Sequence, residues 1–308
     1  MLFMTLHENS DYFAQVLADA ADYMGLQDIG IVEKDYYVTL FLKQIAQRVP
    51  SVIFKGGTSL SKCHKAIARF SEDIDLNVET ESTKLSEGQR KRLKQDILAI
   101  IEELGFTLVN PEQVRSRRDF NRYVIDYQSA VPYPFLRQNL IVETSVFIKA
   151  FPNETMEAAS YVYDFLLANG AEKEIQKYGL EPFLIKVLSL ERTFIDKVFA
   201  IVDYYLSGQV DAHSRHVYDL YKLYPYITFD DAFRKLVSEV RAVRRPHSAC
   251  HSAQEGVNLA ALLRTIADIG FYRADYEKVT RLLLFEDVPY AQAAAVLNDL
   301  LSSGYFNT

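Results

Sequence analysis

The sequence predicts an α+β fold, in which a small mixed β-sheet backed by helices is followed by a mostly helical C-terminal domain. Two observations carry this prediction. Before residue 150, strand-like runs alternate with helical segments, whereas after it apolar residues recur almost throughout at helical spacing. We therefore divide the chain into an α+β domain at 1–150, which includes the N-terminal helices, and a helical domain at 151–308.

The first elements are predicted from short-range patterns. Apolar residues recur at helical spacing from Phe13 to Ala20 and again from Tyr36 to Ala46. The apolar run Ser51 to Phe54 is typical of a buried strand. It ends at a Gly56-Gly57 turn, and Ser59 to Ile67 then has helical character. A strand is therefore expected to lead through a glycine turn into a helix.

The most regular strand pattern covers residues 73–78. Asp73, Asp75 and Asn77 alternate with apolar residues, so in a strand the two sets point to opposite faces. We expect a half-buried strand whose carboxylates, Asp73 and Asp75, lie on the open face.

Three more elements complete the first domain. Ser86 to Leu104 has the pattern of a helix, and Asn121–Tyr127 and Leu140–Phe147 have that of strands. A loop with Pro132 and Pro134 separates the two strands.

Beyond Ala150 we predict one short strand, Phe183 to Leu188, and otherwise helices. The predicted helices are Leu190–Leu206, Arg215–Tyr224, Phe229–Val243, Leu259–Ile269, Tyr276–Leu284 and Ala291–Leu301. The domain boundary is expected between Ala150 and Leu188.

The composition excludes several classes of protein. With 49% hydrophobic and 24% charged residues, the 308-residue chain is neither collagen-like nor largely disordered. No apolar run approaches the ~20 residues that span a bilayer, and the N-terminus lacks the features of a signal peptide. Two cysteines, Cys63 and Cys250, cannot build a disulfide framework. We expect a cytoplasmic protein with no membrane partner.

The charge balance limits contact with nucleic acid to local surfaces. Lys and Arg number 34 against 41 Asp and Glu, a net charge of −7, which excludes a globally basic coat. Two basic clusters remain as candidate backbone-binding patches, although a solvated surface is the commoner role of such clusters. They are Arg115, Arg117, Arg118 and Arg122, and Arg241, Arg244 and Arg245.

Asp73 and Asp75 indicate a metal site. Two carboxylates on one strand face repel each other unless a cation neutralises them. Hard oxygen ligands suit Mg²⁺, and pairs of such ions serve phosphoryl transfer. Asp-x-Asp alone is more often a solvated edge, but here Gly56-Gly57 lies one helix upstream, at a turn where backbone amides can approach a phosphate. The combination is much rarer by chance.

Together these residues resemble a known family. The segment Gly56-Gly57-Thr58-Ser59-Leu60, followed by Arg69-x-Ser71-x-Asp73-Ile74-Asp75-Leu76, is similar to the signature of the AbiEii/AbiGii toxin family of DNA polymerase β-like nucleotidyltransferases. Glu33-Lys34-Asp35-Tyr36-Tyr37, Arg192-Thr193-Phe194-Ile195-Asp196-Lys197 and Arg215-His216-Val217-Tyr218-Asp219-Leu220 resemble further family motifs. The gap from Gly57 to Asp73 is longer than in the superfamily pattern, and His216 stands where an Arg-Asp pair is common.

The resemblance implies metal-dependent transfer from a nucleoside triphosphate (NTP). Asp73 and Asp75 would hold Mg²⁺ or Mn²⁺. The nucleotide-binding residues implied are Gly56, Gly57, Thr58, Ser71, Arg69 and Asp219. A third carboxylate is expected from a later strand. Glu143 is the best candidate, because a lone acid in an apolar and hydroxyl run is costly without a partner. Asp126 is the fallback, and a structural salt bridge is the other reading of Glu143.

Lys197 lies on a predicted helix whose nearby positions are mostly apolar, so its ammonium group needs a partner. That partner is Asp196, Asp203 or a phosphate; with the resemblance we favour phosphate and assign Lys197 to catalysis. Arg192 and Asp196 are four residues apart on one helix, as are Arg215 and Asp219, so simple ion pairs also explain them.

The predicted function is transfer of a nucleoside monophosphate to an acceptor, with tRNA expected, by the toxin of a toxin–antitoxin or phage-defence system. Its partner would be a separately encoded antitoxin. One alternative is a regulatory protein that binds NTP or a partner through a degenerate site; the intact Asp73, Asp75 and Lys197 argue against it. A phosphotransferase acting on a protein hydroxyl and a metal-dependent nuclease are the others, and the nuclease would leave the glycine turn unexplained.

Overall fold

The computed structural model describes residues 5–82, 85–131, 138–211 and 213–307. The predicted loop at Pro132 and Pro134 lies outside these residues. The chain divides into two compact units. The first comprises Met1–Cys63 and Ser71–Val187, and the second comprises His64–Phe70 and Leu188–Thr308. Residues 151–187 thus belong to the first unit, although the sequence division had placed them in the helical domain.

A seven-stranded mixed sheet is the frame of the first unit. Its strands are β1 (Val52–Lys55), β2 (Asp73–Val78), β3 (Thr107–Leu108), β4 (Phe120–Asp126), β5 (Leu140–Ser145), β6 (Asn153–Ala158) and β7 (Phe183–Leu188). The strand order is β3-β4-β5-β2-β1-β7-β6. Strand β2 is central, antiparallel to β1 and parallel to β5, and β1 is parallel to β7. The predicted α+β class with a mixed sheet is confirmed.

Helices surround this sheet within the first unit. They are α1 (Ser10–Met24), α2 (Ile29–Arg48), α3 (Gly56–Lys62), α4 (Glu87–Glu103), α5 (Tyr161–Ala168) and α6 (Glu172–Lys177). Helix α2 contributes Val32, Phe41 and Ile45 to the same apolar core as Ile74 and Leu76 of β2. The apolar face of β2 is therefore covered, as its alternation predicts.

The second unit is helical, as predicted for the C-terminal part. Its helices are α7 (Leu190–Leu206), α8 (Arg215–Leu223), α9 (Asp231–Arg244), α10 (Leu259–Ile269), α11 (Arg273–Lys278) and α12 (Tyr290–Ser303). Helix α7 is central and buries Phe194, Val198 and Val202 among the others. The helices within the described residues include none that combines the length and apolar composition needed to cross a membrane.

Some local predictions were wrong. Strand β6 was expected to be helical, but its exposed Glu154, Thr155 and Glu157 are typical of a polar edge strand, which carries little apolar signal. The predicted helix 276–284 ends at Lys278 and continues as a short 3-10 turn. The predicted helix 59–67 is the seven-residue α3, which begins at Gly56.

Asn77 follows Asp73 and Asp75 on the same face of β2 but differs from them in its surroundings. It is buried, and its Nδ2 donates to the carbonyls of Ser145 (2.6 Å) and Ile148 (2.9 Å). Because its amide satisfies two carbonyls where β5 ends, the open face of β2 is left to Asp73 and Asp75.

Candidate active site

The two aspartates of the signature lie on the central strand between two charged neighbours. In the register of the sheet, Asp75 is opposite Glu143 on β5 and opposite Lys55 on β1. Asp73 lies two residues earlier on the same face of β2, level with Ile141. The sheet thus brings together three of the predicted residues, Asp73, Asp75 and Glu143.

The electrostatics of Glu143 reflect this grouping. Partial burial, followed by the charges of Asp75 and Asp73, raises the pKa of Glu143 above its ordinary value, and Arg122 and Lys55 oppose the rise. The nearest cationic contact is Arg122 Nε, 3.7 Å from Glu143 Oε1. A residual excess of negative charge therefore favours a cation at this face.

Asp126, the fallback third carboxylate, lies elsewhere. It is the last residue of β4, level with Thr107 of β3, and accepts a hydrogen bond from Asn139. It is one strand further from β2 than Glu143 and, at ~3.3 Å per residue, about 13 Å along β4 from Arg122, which is opposite Glu143. Glu143 is therefore the acid next to the aspartates.

The glycine turn packs directly against the carboxylate of Asp75. Gly56 has φ of +81°, and a Cβ atom at this position would stand 2.0 Å from Asp75 Oδ2. Helix α3 begins here, so the turn, the start of α3 and the aspartate form one tight unit. This contact joins the two segments of the sequence signature, residues 56–60 and 69–76, in space.

Hydroxyl groups connect the turn to the strand. The Thr58 hydroxyl donates to the carbonyl of Asp73 (2.7 Å), and its oxygen lies 2.9 Å from Ser71 Oγ, with which it is hydrogen-bonded. The Ser59 hydroxyl donates to the carbonyl of Gly56 (3.0 Å). Thr58 and Ser59 are buried, whereas Ser71 is partly exposed. Thr58 therefore fixes the start of β2, and Ser71, just before this strand, is accessible to solvent.

Buried and partly buried ion pairs connect α2 to the signature segment and to α3. Lys34 Nζ lies 2.6 Å from a carboxylate oxygen of Glu72, which stands between Ser71 and Asp73. Asp35 accepts from Lys62 Nζ of α3 (2.6 Å). This explains the charged segment 33–37, whose side chains fix the elements that carry the site.

A second group of sequence-predicted residues lies inside the second unit. Arg69 Nε and Nη2 donate to the two carboxylate oxygens of Asp219 at 2.7 and 2.8 Å, and Lys197 Nζ donates to Asp219 Oδ2 at 2.6 Å. All three side chains are buried. Burial alone raises the pKa of Asp219, but the charges of Arg69 and Lys197 together hold it well below its ordinary value.

The predicted partners of Lys197 on its own helix are engaged elsewhere. Arg192 Nε donates to Asp196 (2.9 Å), as helical spacing predicts, and Arg244 donates to both Asp196 (3.0 Å) and Asp203 (2.8 Å). Lys197 itself donates to Asp219 of α8, whose residues the spacing along α7 could not indicate. The phosphate favoured as its partner stays a prediction.

The comparison with known families shows the family of the chain. The sequence profile of a family described as nucleotidyl transferase AbiEii toxin, type IV toxin–antitoxin system, matches residues 41–298. The chain belongs to the AbiEii nucleotidyltransferase toxin family. A comparison with curated proteins gives no significant match.

The AbiEii match covers both units and is longer than the resemblance read from motifs. It extends past Leu220 to residue 298, and it begins after Glu33 to Tyr37. Membership of this family implies nucleotidyltransferase activity and a toxin role.

The donor set suits a divalent cation of the kind that nucleotidyl transfer uses. Within the described ranges, no three His, Cys, Asp or Glu side chains stand together in metal-ligand geometry. Mg²⁺ is nevertheless usually held by one or two carboxylates, with substrate phosphates and water completing its shell. Asp73 and Asp75 fit this pattern, because both are oxygen donors on one strand face beside a carboxyl group whose pKa is raised.

Two basic residues beside Asp75 and Glu143 were not assigned to this site from the sequence. Lys55 is opposite Asp75 on β1, and Arg122 is opposite Glu143 on β4. Lys55 is the last residue of β1 and directly precedes the glycine turn, and this position was the available signal. Arg122 was noted only as part of a basic cluster, because strand pairing is not visible in the sequence.

Proposed function

We propose that this AbiEii family member is a Mg²⁺-dependent nucleotidyltransferase that joins a nucleoside monophosphate from an NTP to an RNA acceptor, with tRNA as the first candidate. The observation that carries the proposal is the position of Asp75. It lies against the Cα atom of Gly56 on one side and opposite Glu143 on the other. This contact supports the proposal, because it joins the acid proposed to hold the metal to the turn proposed to bind phosphate.

Each residue of the first unit has a role in this proposal. Asp73 and Asp75 hold Mg²⁺, with Glu143 as the third carboxylate. When bound, the ion neutralises charge on the triphosphate and polarises its phosphorus–oxygen bonds. The backbone of Gly56, Gly57 and Thr58 and the hydroxyl of Ser71 hold the phosphates. In the reaction the acceptor oxygen bonds to the α-phosphorus, and the bond to pyrophosphate breaks.

The biological role follows from the family. We propose that the chain is the toxin of a toxin–antitoxin pair and that a separately encoded antitoxin counteracts it.

The test is incubation of the purified protein with each α-labelled NTP, Mg²⁺ and total RNA. Label should enter RNA with one preferred NTP, pyrophosphate should be released, and Asp73→Asn should abolish both. Asp126→Asn, which removes an acid at the far end of β4, is the matched control and should remain active.

Other outcomes would replace the proposal. Shortened RNA without label would indicate a nuclease. In a parallel incubation with γ-labelled NTP and protein acceptors, label on protein would indicate a phosphotransferase. NTP binding without any transfer would indicate a regulatory protein.

A further inference from the structure

A basic face lies beside the candidate site, within the first unit. We use this name for six side chains: Arg90 and Lys91 of α4, Arg115, Arg117 and Arg118 of the segment before β4, and Arg122 of β4. All six are partly or fully exposed. The whole chain carries a net charge of −7, so this local excess of positive charge contrasts with the rest of the protein.

Specific contacts hold α4 and the segment 115–119 together as one surface. Arg90 donates to the carboxylate of Asp119, Arg117 Nε donates to Glu87 (2.7 Å), and Lys94 Nζ donates to the carbonyl of Val114 (2.9 Å). The buried Asn121 accepts from the backbone N–H of Arg115 (2.8 Å) and donates to its carbonyl (3.0 Å). The hydrogen bonds of Lys94 and Asn121 fix the backbone that carries the face, which reduces the entropy cost of binding a ligand.

The acids that contact the face do not cancel its charge. They are Glu87, Asp119 and Glu143. The side chain of Arg117 is 84% exposed and that of Glu87 is 59% exposed. Exposed ion pairs of this kind contribute ~0–1 kcal/mol. A polyanion can therefore displace them at little cost.

The face leads to the candidate catalytic carboxylates. Arg122 is opposite Glu143 in the sheet, and Glu143 is opposite Asp75. Phe120, which is 45% exposed, lies on β4 between Arg118 and Arg122. An exposed aromatic ring among arginines is a surface on which single-stranded bases stack. A chain of phosphates bound along the face would end beside Glu143.

We propose that the basic face binds the phosphate backbone of a single-stranded nucleic acid and presents the acceptor RNA to the carboxylates on β2 and β5. The identity of the acceptor as RNA rests on the proposed function. The binding surface itself rests on charge, exposure and position.

The test measures binding of fluorescein-labelled oligouridine to the full chain across a range of salt concentrations. The test variant is Arg115→Gln/Arg117→Gln/Arg118→Gln. The control is Lys173→Gln/Lys235→Gln/Lys278→Gln, which removes three exposed cations elsewhere and changes the net charge equally. Each phosphate contact on a single strand contributes a salt slope of about 0.7, so the test variant should lose a slope of roughly 2 and bind roughly a hundredfold more weakly at 0.1 M salt. The control should bind as wild type does.

A second variant checks the stacking surface. Phe120→Ala should weaken oligouridine binding about tenfold with the salt slope unchanged, because stacking is not an electrostatic contact. Melting curves and NTP affinity should match wild type for every variant, since none of these side chains is buried or placed in the nucleotide site.

Several results would overturn the proposal. Equal losses of oligouridine affinity in the test and control variants would show that only the net charge of the protein matters. Stronger competition by polyglutamate than by oligouridine would assign the face to an acidic protein, and a preference for oligodeoxythymidine would assign it to DNA. Asp73→Asn should keep oligouridine binding while losing transfer. The wild-type protein could transfer no nucleotide while the test variant still loses oligouridine binding. That result would support the basic face as a binding surface and show that the proposed function is wrong.

Discussion

Gly56 and Asp75 approach each other so closely that position 56 has no room for a side chain. A Cβ atom there would stand 2.0 Å from Oδ2 and 2.9 Å from Cγ of the aspartate. The φ of +81° independently favours glycine. The glycine of the signature and its second aspartate are therefore one structural requirement, because the carboxylate occupies the space that any other residue would fill.

Gly56→Ala should reduce nucleotidyl transfer by on the order of a hundredfold, because the new methyl group displaces the carboxylate of Asp75 by about 1 Å. The left-handed φ should also lower the free energy of unfolding by about 1–2 kcal/mol. Steady-state kinetics and denaturant unfolding measure the two effects. Gly25→Ala is the control, since Gly25 has φ of +67° with nothing within 4 Å of its added Cβ. It should lose similar stability and keep full activity; equal activity losses in both variants would contradict the steric argument.

The pKa of Glu143 makes stability depend on pH. Burial and the charges of Asp75 and Asp73 raise this pKa above its ordinary value of 4.5. The stability contributed by the protonated carboxyl group is therefore fully present below the unfolded pKa and is lost as pH rises through the folded pKa. Without metal, Glu143→Gln should melt at a higher temperature than wild type near neutral pH, and the gap should close towards about pH 4.

Two comparisons check this explanation. Asp75→Asn should lower the pKa of Glu143, because it removes a neighbouring negative charge. Glu154→Gln, at an exposed position on β6, should show no such pH-dependent gain. Melting curves of all four proteins between about pH 4 and pH 8 would settle the point. If Glu143→Gln raises the melting temperature by the same amount at every pH, the stabilisation does not come from the raised pKa of Glu143.

Mg²⁺ and an NTP should stabilise the protein together more than either does alone, because the triphosphate completes the shell of an ion held by Asp73 and Asp75. A ligand at a hundred times its Kd adds about 2.7 kcal/mol, which gives a visible melting shift. Asp75→Ala should lose the shift and all transfer while melting, without metal, at or above the wild-type temperature. No shift with any of the four NTPs would argue against the nucleotide site.

Sequence patterns predicted the single elements that carry the candidate site, because each pattern lies within one short segment of the chain. Alternation of apolar and charged residues predicted β2 with its bounds, and the lone acid in 140–146 indicated Glu143. Here the side-chain direction follows directly from strand geometry. The bounds of α7 and α10 were also predicted, because both helices have a clear apolar face.

Sequence patterns could not predict contacts between residues that are far apart in the chain. Arg69 belongs to the same signature as Asp73, yet it bonds with Asp219, which is 150 residues later. Periodicity describes one element at a time, and it cannot show which helix covers which. Strand β6 was missed for a different reason: its apolar residues are few, and its edge position needs none.

The arrangement of Lys197 and Asp219 leads to opposite expectations for two substitutions. Asp219→Asn removes the charged carboxylate that binds the buried Arg69 and Lys197, and loss of one partner from a buried pair costs about 3–5 kcal/mol. Lys197→Met keeps the two hydrogen bonds from Arg69 to Asp219 and removes an ammonium group whose pKa burial lowers. The Asn variant should therefore unfold at a much lower denaturant concentration than the Met variant.

NTP titration of Lys197→Met then decides what the lysine does. If Lys197 binds the triphosphate, the charge-assisted contact disappears, and NTP affinity should fall at least tenfold in a variant that stays folded. Oligouridine binding to the basic face is the internal control and should stay at the wild-type level. If the lysine only balances the charge of Asp219, Lys197→Met should lose stability and keep its NTP affinity. That result would remove Lys197 from nucleotide binding and leave Asp219 as the organising acid of α7 and α8, because its two cationic partners come from outside its own helix.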